Sequence, residues 1–148
     1  MINYQLTADW LKACGKTPSP ENVSLQLGIM LEEFCELLNC LRTESDGYSK
    51  LLDRTRIDLD WFAGKLKKGE QLVYIPIHLR EDALDALCDV EVTGNGVAYF
   101  AGFDKPNADV AVLQSNNDKL VDGKAVILPG GKIGKPPGWV APDLKLFV

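Results

Sequence analysis

Residues 31–41, LEEFCELLNCL, place Glu32, Glu33 and Glu36 inside a run that is otherwise almost wholly apolar. Ser19, Pro20 and Glu21 precede it as a helix start, because serine caps free N–H groups and proline fits the first helical position. The pattern therefore predicts a long helix over about 20–43. At about 100° per residue, Leu27, Met30, Leu31, Phe34, Leu37, Leu38 and Leu41 share one side, a stripe broad enough to be its core face. The glutamates occupy an arc of roughly 100° on the opposite side. An acidic arc is ordinarily a solvated face, but Leu25, Ile29 and Cys40 lie on it too, which suggests that another element covers it.

Covered carboxylates at i, i+3 and i, i+4 repel one another, and desolvation adds to the cost, so they need a cation. Arg42 is the only basic residue between 17 and 49, which makes a divalent metal the more economical partner. Asp82, Asp85 and Asp89 repeat the oddity farther along. They project within roughly 60° of one another on a second helix, in line with Thr93, Gly96 and Phe100. Two acidic helices facing each other in a bundle would supply oxygen ligands without histidine or cysteine, a set suited to Mg²⁺ or Mn²⁺. From spacing alone, a surface-charge explanation stays open beside the metal one.

The rest of the chain reads as more helix. LTADWLKACG fits a helix over about 5–14, with Thr7 as N-cap and Gly15 as stop. YSKLLDRTRIDLDWFAGKLKKG suits a third helix ending at Gly69, whose lysines read as a solvated helix end. Pro76 makes QLVYIPIH a crossing connection and not an interior strand. A fourth helix spans Arg80 to Gly102, and PNADVAVLQSNNDKL is a fifth. GKAVILPGGKIGK reads as a hairpin turning at Gly130 and Gly131, followed by a coil. The expectation is an all-α bundle of four to five helices in one domain over 1–148, with a small C-terminal β-hairpin and coil tail over about 121–148.

Composition limits what such a bundle does. A chain of 148 residues, 46% hydrophobic, can bury a core without staples. Its net charge of -5 argues against nucleic acid or an anionic membrane as partner. Cys14, Cys35, Cys40 and Cys88 form no CxxC pair and read as small core residues. The lone His78 reads as structural. The N-terminal residues lack a basic and then apolar signal, and no run approaches about 18 apolar residues, so a cytoplasmic protein is expected (the host cytoplasm, if phage-encoded).

EEFCE at 32–36 matches the EExxE motif of the all-α nucleoside triphosphate pyrophosphohydrolases, the MazG-like and phosphoribosyl-ATP pyrophosphohydrolase-like group. DALDALCD resembles that group's ExxD motif, with aspartate in the first position. GVAYFAGFD, SNNDKLVDGKAVILPGGKIGK and PGWVAPDL extend the resemblance, which runs over about 18–145 and is less close over 44–78.

The resemblance implies a Mg²⁺-dependent nucleotide pyrophosphohydrolase that releases a monophosphate and pyrophosphate from a (d)NTP or related nucleotide. It implies Glu32, Glu33, Glu36, Asp82 and Asp85 as metal ligands, with Asp89 one turn beyond for a second ion or a water. Glu33 or Glu36 would orient or deprotonate the attacking water. Aspartate reaches one methylene less far than glutamate, so Glu81 competes with Asp82 for the family's glutamate position. Asn116, Lys119 and Lys124 fall where similar proteins contact substrate, although a lysine-capped helix end explains them equally. The resemblance also implies a homodimer or homotetramer. Phosphoribosyl-ATP hydrolysis is an enzyme alternative, and a nucleotide-binding protein without turnover is an alternative of another class.

Overall fold

The computed structural model describes residues 4–129 and 131–148. The chain is all-α with a small C-terminal hairpin. Its elements are α1 (Tyr4–Ala13), α2 (Pro20–Cys40), α3 (Asp46–Lys67), a 3₁₀ turn at Ile77–Leu79, α4 (Arg80–Ala101), α5 (Lys105–Asn117), β1 (Leu120–Val121), β2 (Lys124–Ala125) and a final 3₁₀ turn at Lys145–Phe147. They form two compact units. One comprises residues 18–74; the other combines 1–17 with 75–148.

The first unit is an antiparallel pair of helices. Its start follows the sequence signal: the Asn22 N–H donates to Ser19 Oγ at 3.1 Å, with Pro20 in the first turn. The positions of α2 that pack inward run through Ser24, Gly28, Leu31, Cys35 and Leu38, and those of α3 through Leu52, Arg56, Leu59, Ala63 and Leu66. Both series alternate steps of four and three, the spacing that keeps one seam facing a partner along a helix pair.

Small residues set how closely the helices approach. A Cβ on Gly28 would lie 2.9 Å from the Ala63 carbonyl oxygen, 2.9 Å from Lys67 Cγ and 3.0 Å from Leu66 Cβ. Ala63 and Leu66 are correspondingly sealed from solvent, and burial of a leucine side chain alone contributes about 1.5–3 kcal/mol. Cys35 Sγ donates to the Arg56 carbonyl at 3.6 Å. Ser24, also buried, accepts from the Val73 N–H at 2.8 Å, and its single proton has the Pro20 and Val73 carbonyls within reach at 2.9 and 3.2 Å. The strand-like segment after α3 is thereby fastened to α2.

This seam corrects the expected core face. Met30, Phe34, Leu37 and Leu41 are exposed, because α3 packs along the line of Ser24, Gly28 and Cys35, which takes in only Leu31 and Leu38 of the leucine-rich stripe and leaves Leu27 half-buried. The acidic arc is covered only at its N-terminal end, where Leu25 and Ile29 are half-buried, while Cys40 is exposed.

The second unit joins α1 to α5 and the C-terminal coil. Trp10 Nε1 donates to the Asn116 carbonyl, which also accepts from the Lys119 N–H, and Trp139 Nε1 donates to the Ser115 carbonyl, each indole bond at 2.9 Å, so two indoles bond carbonyls of the last turn of α5. Lys16 Nζ donates to the Gly131 carbonyl at 2.6 Å, and the Asp104 N–H to the Phe147 carbonyl at 2.9 Å, which holds the tail against the start of α5. By contrast α4 is exposed along most of its length, including Leu84, Leu87, Val90, Tyr99 and Phe100.

Helix ends follow the glycines. At Gly15, Gly69 and Gly102, all at positive φ, the glycine N–H reaches back three residues and the next N–H five, the paired pattern that closes a helix. Two local expectations fail. Thr7 lies inside α1, which already runs from Tyr4, so it caps nothing. The regular hairpin turns earlier than expected, at Asp122 and Gly123 (φ 51° and 71°), with Leu120 opposite Ala125; α5 accordingly ends at Asn117, short of Leu120. Asp-Gly favours this two-residue turn because both positions need positive φ. The expected pairing is present as one antiparallel bridge between Ile127 and Ile133; Gly130 in its turn lies outside the described residues.

The close approach at Gly28 gives a prediction of opposite signs within one helix pair. Gly28→Ala should destabilise by about 1–3 kcal/mol, since the clash is with backbone and a Cβ and outweighs alanine's better helix propensity. Gly64→Ala, where nothing lies within 4 Å of the new Cβ, should stabilise by about 0.4–1 kcal/mol. Urea unfolding of the two variants checks both signs.

Candidate functional site

The glutamates of α2 lie on one flank of its seam with α3. Glu32 is nearest the seam, and Lys67 Nζ, from the last turn of α3, donates to its Oε1 at 2.6 Å. Their side chains keep only 27% and 24% of their exposure, so this pair is screened less than a surface one. The lysine run at the end of α3 is thus more than a solvated helix end. Lys65 pairs with Glu70 beyond the Gly69 stop, and Lys67 turns to the neighbouring helix. Glu33 and Glu36 are exposed on the same flank.

Asp82, Asp85 and Asp89 are exposed on α4, at spacings of three and four. Thr93 Oγ1 donates to the Asp89 backbone carbonyl at 2.7 Å, one turn back. Among the described residues, no three histidine, cysteine, aspartate or glutamate side chains are gathered closely enough to hold a metal ion.

Asn116 and Lys119 do come together: Lys119 Nζ donates to Asn116 Oδ1 at 2.8 Å. The same ammonium lies 5.4 Å from the centre of the Trp139 ring, and Lys135 lies 4.4 Å from it. Both distances permit attraction between a cation and the ring's π electrons. The result is a basic, aromatic cluster at the end of α5. Lys124 opens β2 and is exposed. The sequence singled out Asn116 and Lys119 but not Lys135, which closes the segment SNNDKLVDGKAVILPGGKIGK four residues before Trp139. His78 sits exposed in the 3₁₀ turn before α4.

A separate hollow of about 270 Å³ lies between α1, α5 and β1, with Trp10, Leu113 and Leu120 among its walls and Asp9 at its edge. Asp9 is held below the usual carboxylate range, chiefly by the Gln5 amide that donates to it at 2.7 Å.

The four cysteines are free thiols, and they divide into two kinds. Cys14 and Cys35 are buried, and burial pushes both thiols up from their ordinary value; Lys16 and Lys119 oppose the shift at Cys14, whereas Asp60 adds to it at Cys35. Cys40 and Cys88 are exposed and are not core residues. No described helix is long and apolar enough to cross a membrane. No family model, curated protein or solved structure matches the chain.

Reactivity should follow this division, because the thiolate is the reacting species and needs access. A thiol reagent at pH 8 should modify Cys40 and Cys88 quickly and Cys14 and Cys35 only as the protein opens. Mass spectrometry of peptides from a timed reaction reads each site.

Proposed function

We propose that this chain is a Mg²⁺-dependent nucleotide pyrophosphohydrolase of the all-α group that its EExxE and DxxD segments resemble, converting a (d)NTP or related nucleotide to the monophosphate and pyrophosphate. The observation that carries the reading is that Glu32, the first acid of EExxE, already holds a cation beside a packed helix seam, with Glu33 and Glu36 presented outward next to it.

Carboxylate is the donor type that the proposed metal takes. Mg²⁺ takes oxygen ligands, keeps several waters, and is usually held by one or two carboxylates together with substrate phosphates, so a closed protein cage is not required. Glu32, Glu33 and Glu36 of α2 are the residues that would hold it, and the resemblance adds Asp82 and Asp85, with Asp89 one turn on. Bound there, Mg²⁺ would neutralise the phosphates and stabilise the departing pyrophosphate. Glu33 or Glu36 would orient a water and accept its proton as that water attacks phosphorus. Asn116, Lys119 and Lys124 would meet the substrate's polar groups, with Lys135 and Trp139 beside the first two. A homodimer or homotetramer, in the cytoplasm, completes the proposal; self-association would cover apolar side chains that α4 leaves exposed.

Pyrophosphate release from a panel of nucleotides, with and without Mg²⁺, tests the activity and separates it from nucleotide binding without turnover. A protein that binds nucleotide yet releases nothing under any of these conditions is not this enzyme. Within an active protein, Glu36→Gln should reduce turnover by about 10²-fold or more with an unchanged fold by circular dichroism. Near-normal activity would remove Glu36 from the site.

The aspartates of α4 give a second test. Asp85→Asn should move the Mg²⁺ midpoint to higher concentration, and Asp82→Glu should be tolerated. If Asp82→Glu is harmful and Glu81→Gln abolishes activity, Glu81 is the ligand in place of Asp82.

A further inference from the structure

One side of α4 combines exposed aromatic rings with a glycine that nothing in the described chain requires. Val92, Gly96 and Tyr99 follow one another at steps of four and three, Phe103 comes four residues later just past the helix end, and Phe100 lies beside them in line with Gly96. Tyr99 and Phe100 meet edge to face with ring centres 5.4 Å apart, yet they are 78% and 87% exposed, and Val92 and Phe103 are exposed as well. A Cβ added at Gly96 would meet nothing within 4 Å. Glycine inside a helix costs stability relative to alanine, so its place among the rings calls for a close neighbour that the described residues do not supply.

We propose that this face is where two copies of the chain meet, their α4 helices antiparallel, with Phe100 of each copy seated over Gly96 of the other. The inference rests on the proposed self-association and is independent of the nucleotide chemistry. A twofold contact must be complementary to itself, and a face with a projecting ring one turn from a bare backbone position meets that requirement. The area suits a second copy: these four side chains leave roughly 500–600 Å² open, at the upper end for the largest patch of a monomer and most of the ~800 Å² per partner in a standard interface. Charge selects the orientation. Asp82, Asp85 and Asp89 lie along the same side toward the start of α4. Antiparallel pairing with Phe100 over Gly96 sets Asp89 roughly 18 positions, or about 27 Å along the axis, from its counterpart, a distance at which salt screens their repulsion. A parallel pair would bring the two acidic stripes together.

The test is sedimentation equilibrium of the full chain over a range of concentrations. Phe100→Asp should raise the dissociation constant by about thirtyfold or more, the loss expected when a central aromatic anchor is removed. Gly96→Leu separates a contact from an ordinary exposed glycine. Leucine is the better helix former, so in dilute, dissociated protein this variant should raise the thermal midpoint. It should nevertheless weaken association by about tenfold or more, because the opposing ring has lost its place.

Hydrogen exchange on the unaltered protein covers the case in which a variant does not fold: amides of residues 92–103 should exchange more slowly at high protein concentration than at low. A dimer that dissociates no more readily with Phe100→Asp, or that Gly96→Leu strengthens, overturns this contact and leaves self-association to another surface. Concentration-dependent protection that spares 92–103 does the same. A chain that stays monomeric at every concentration overturns both the contact and the self-association, and gives the face to a different partner. The nucleotide reading is judged separately, by pyrophosphate release.

Discussion

The absence of a side chain at Gly28 governs the helix pair. It lets α2 come so near α3 that a single added carbon would meet a carbonyl oxygen, a Cβ and a lysine stem within about 3 Å. The close approach brings Ala63 and Leu66 out of solvent, and places Ser24, one turn before the glycine, where it can bond the chain that returns after α3. Packing at van der Waals distance is discrete and does not deform smoothly. The glycine therefore sets the rotation of α2 as well as its distance from α3.

That rotation decides which chemistry α2 displays. With Gly28 on the seam, Glu32 falls one turn farther along at its edge, within reach of a lysine from the opposing helix, while Glu36 lies farther round the helix and Glu33 farther still. Met30, Phe34, Leu37 and Leu41 lie on the other flank and stay exposed. Acidic and apolar flanks on either side of a narrow seam are thus a consequence of using small residues for the contact. A seam built from the leucines would have rotated the helix and pointed the glutamates elsewhere.

What was readable in the sequence were features whose cause is local. Ser19 followed by Pro20, and glycines at the ends of α1, α3 and α4, fix helix boundaries through their own backbone preferences, and the five helices follow from them. The seam was misread because hydrophobicity favours leucine and phenylalanine, whereas close contact favours glycine, serine, alanine and cysteine. The alternating four and three spacing of Ser24, Gly28, Leu31, Cys35 and Leu38 was present and carried the answer. The pairing of Glu32 with Lys67 is not legible for a different reason: Lys67 is 35 residues away, outside the span 17–49 in which Arg42 is the only basic residue. Of the candidate site, Asn116 and Lys119 were within reach because they are three apart on one helix end. Lys135, brought to Trp139 by the coil, was not.

Residues 18–74 interrupt the unit formed by 1–17 and 75–148, and this has a consequence for the order of assembly. The α2 and α3 pair draws on contacts between helices joined by a short loop, so it can form early, as local structure does. Trp10 must find the Asn116 carbonyl across 106 positions of chain. Until then α1 is a helix of ten residues, too short to persist alone in water. During synthesis on the ribosome α1 therefore waits without this partner until the 106 positions from Trp10 to Asn116 have been made.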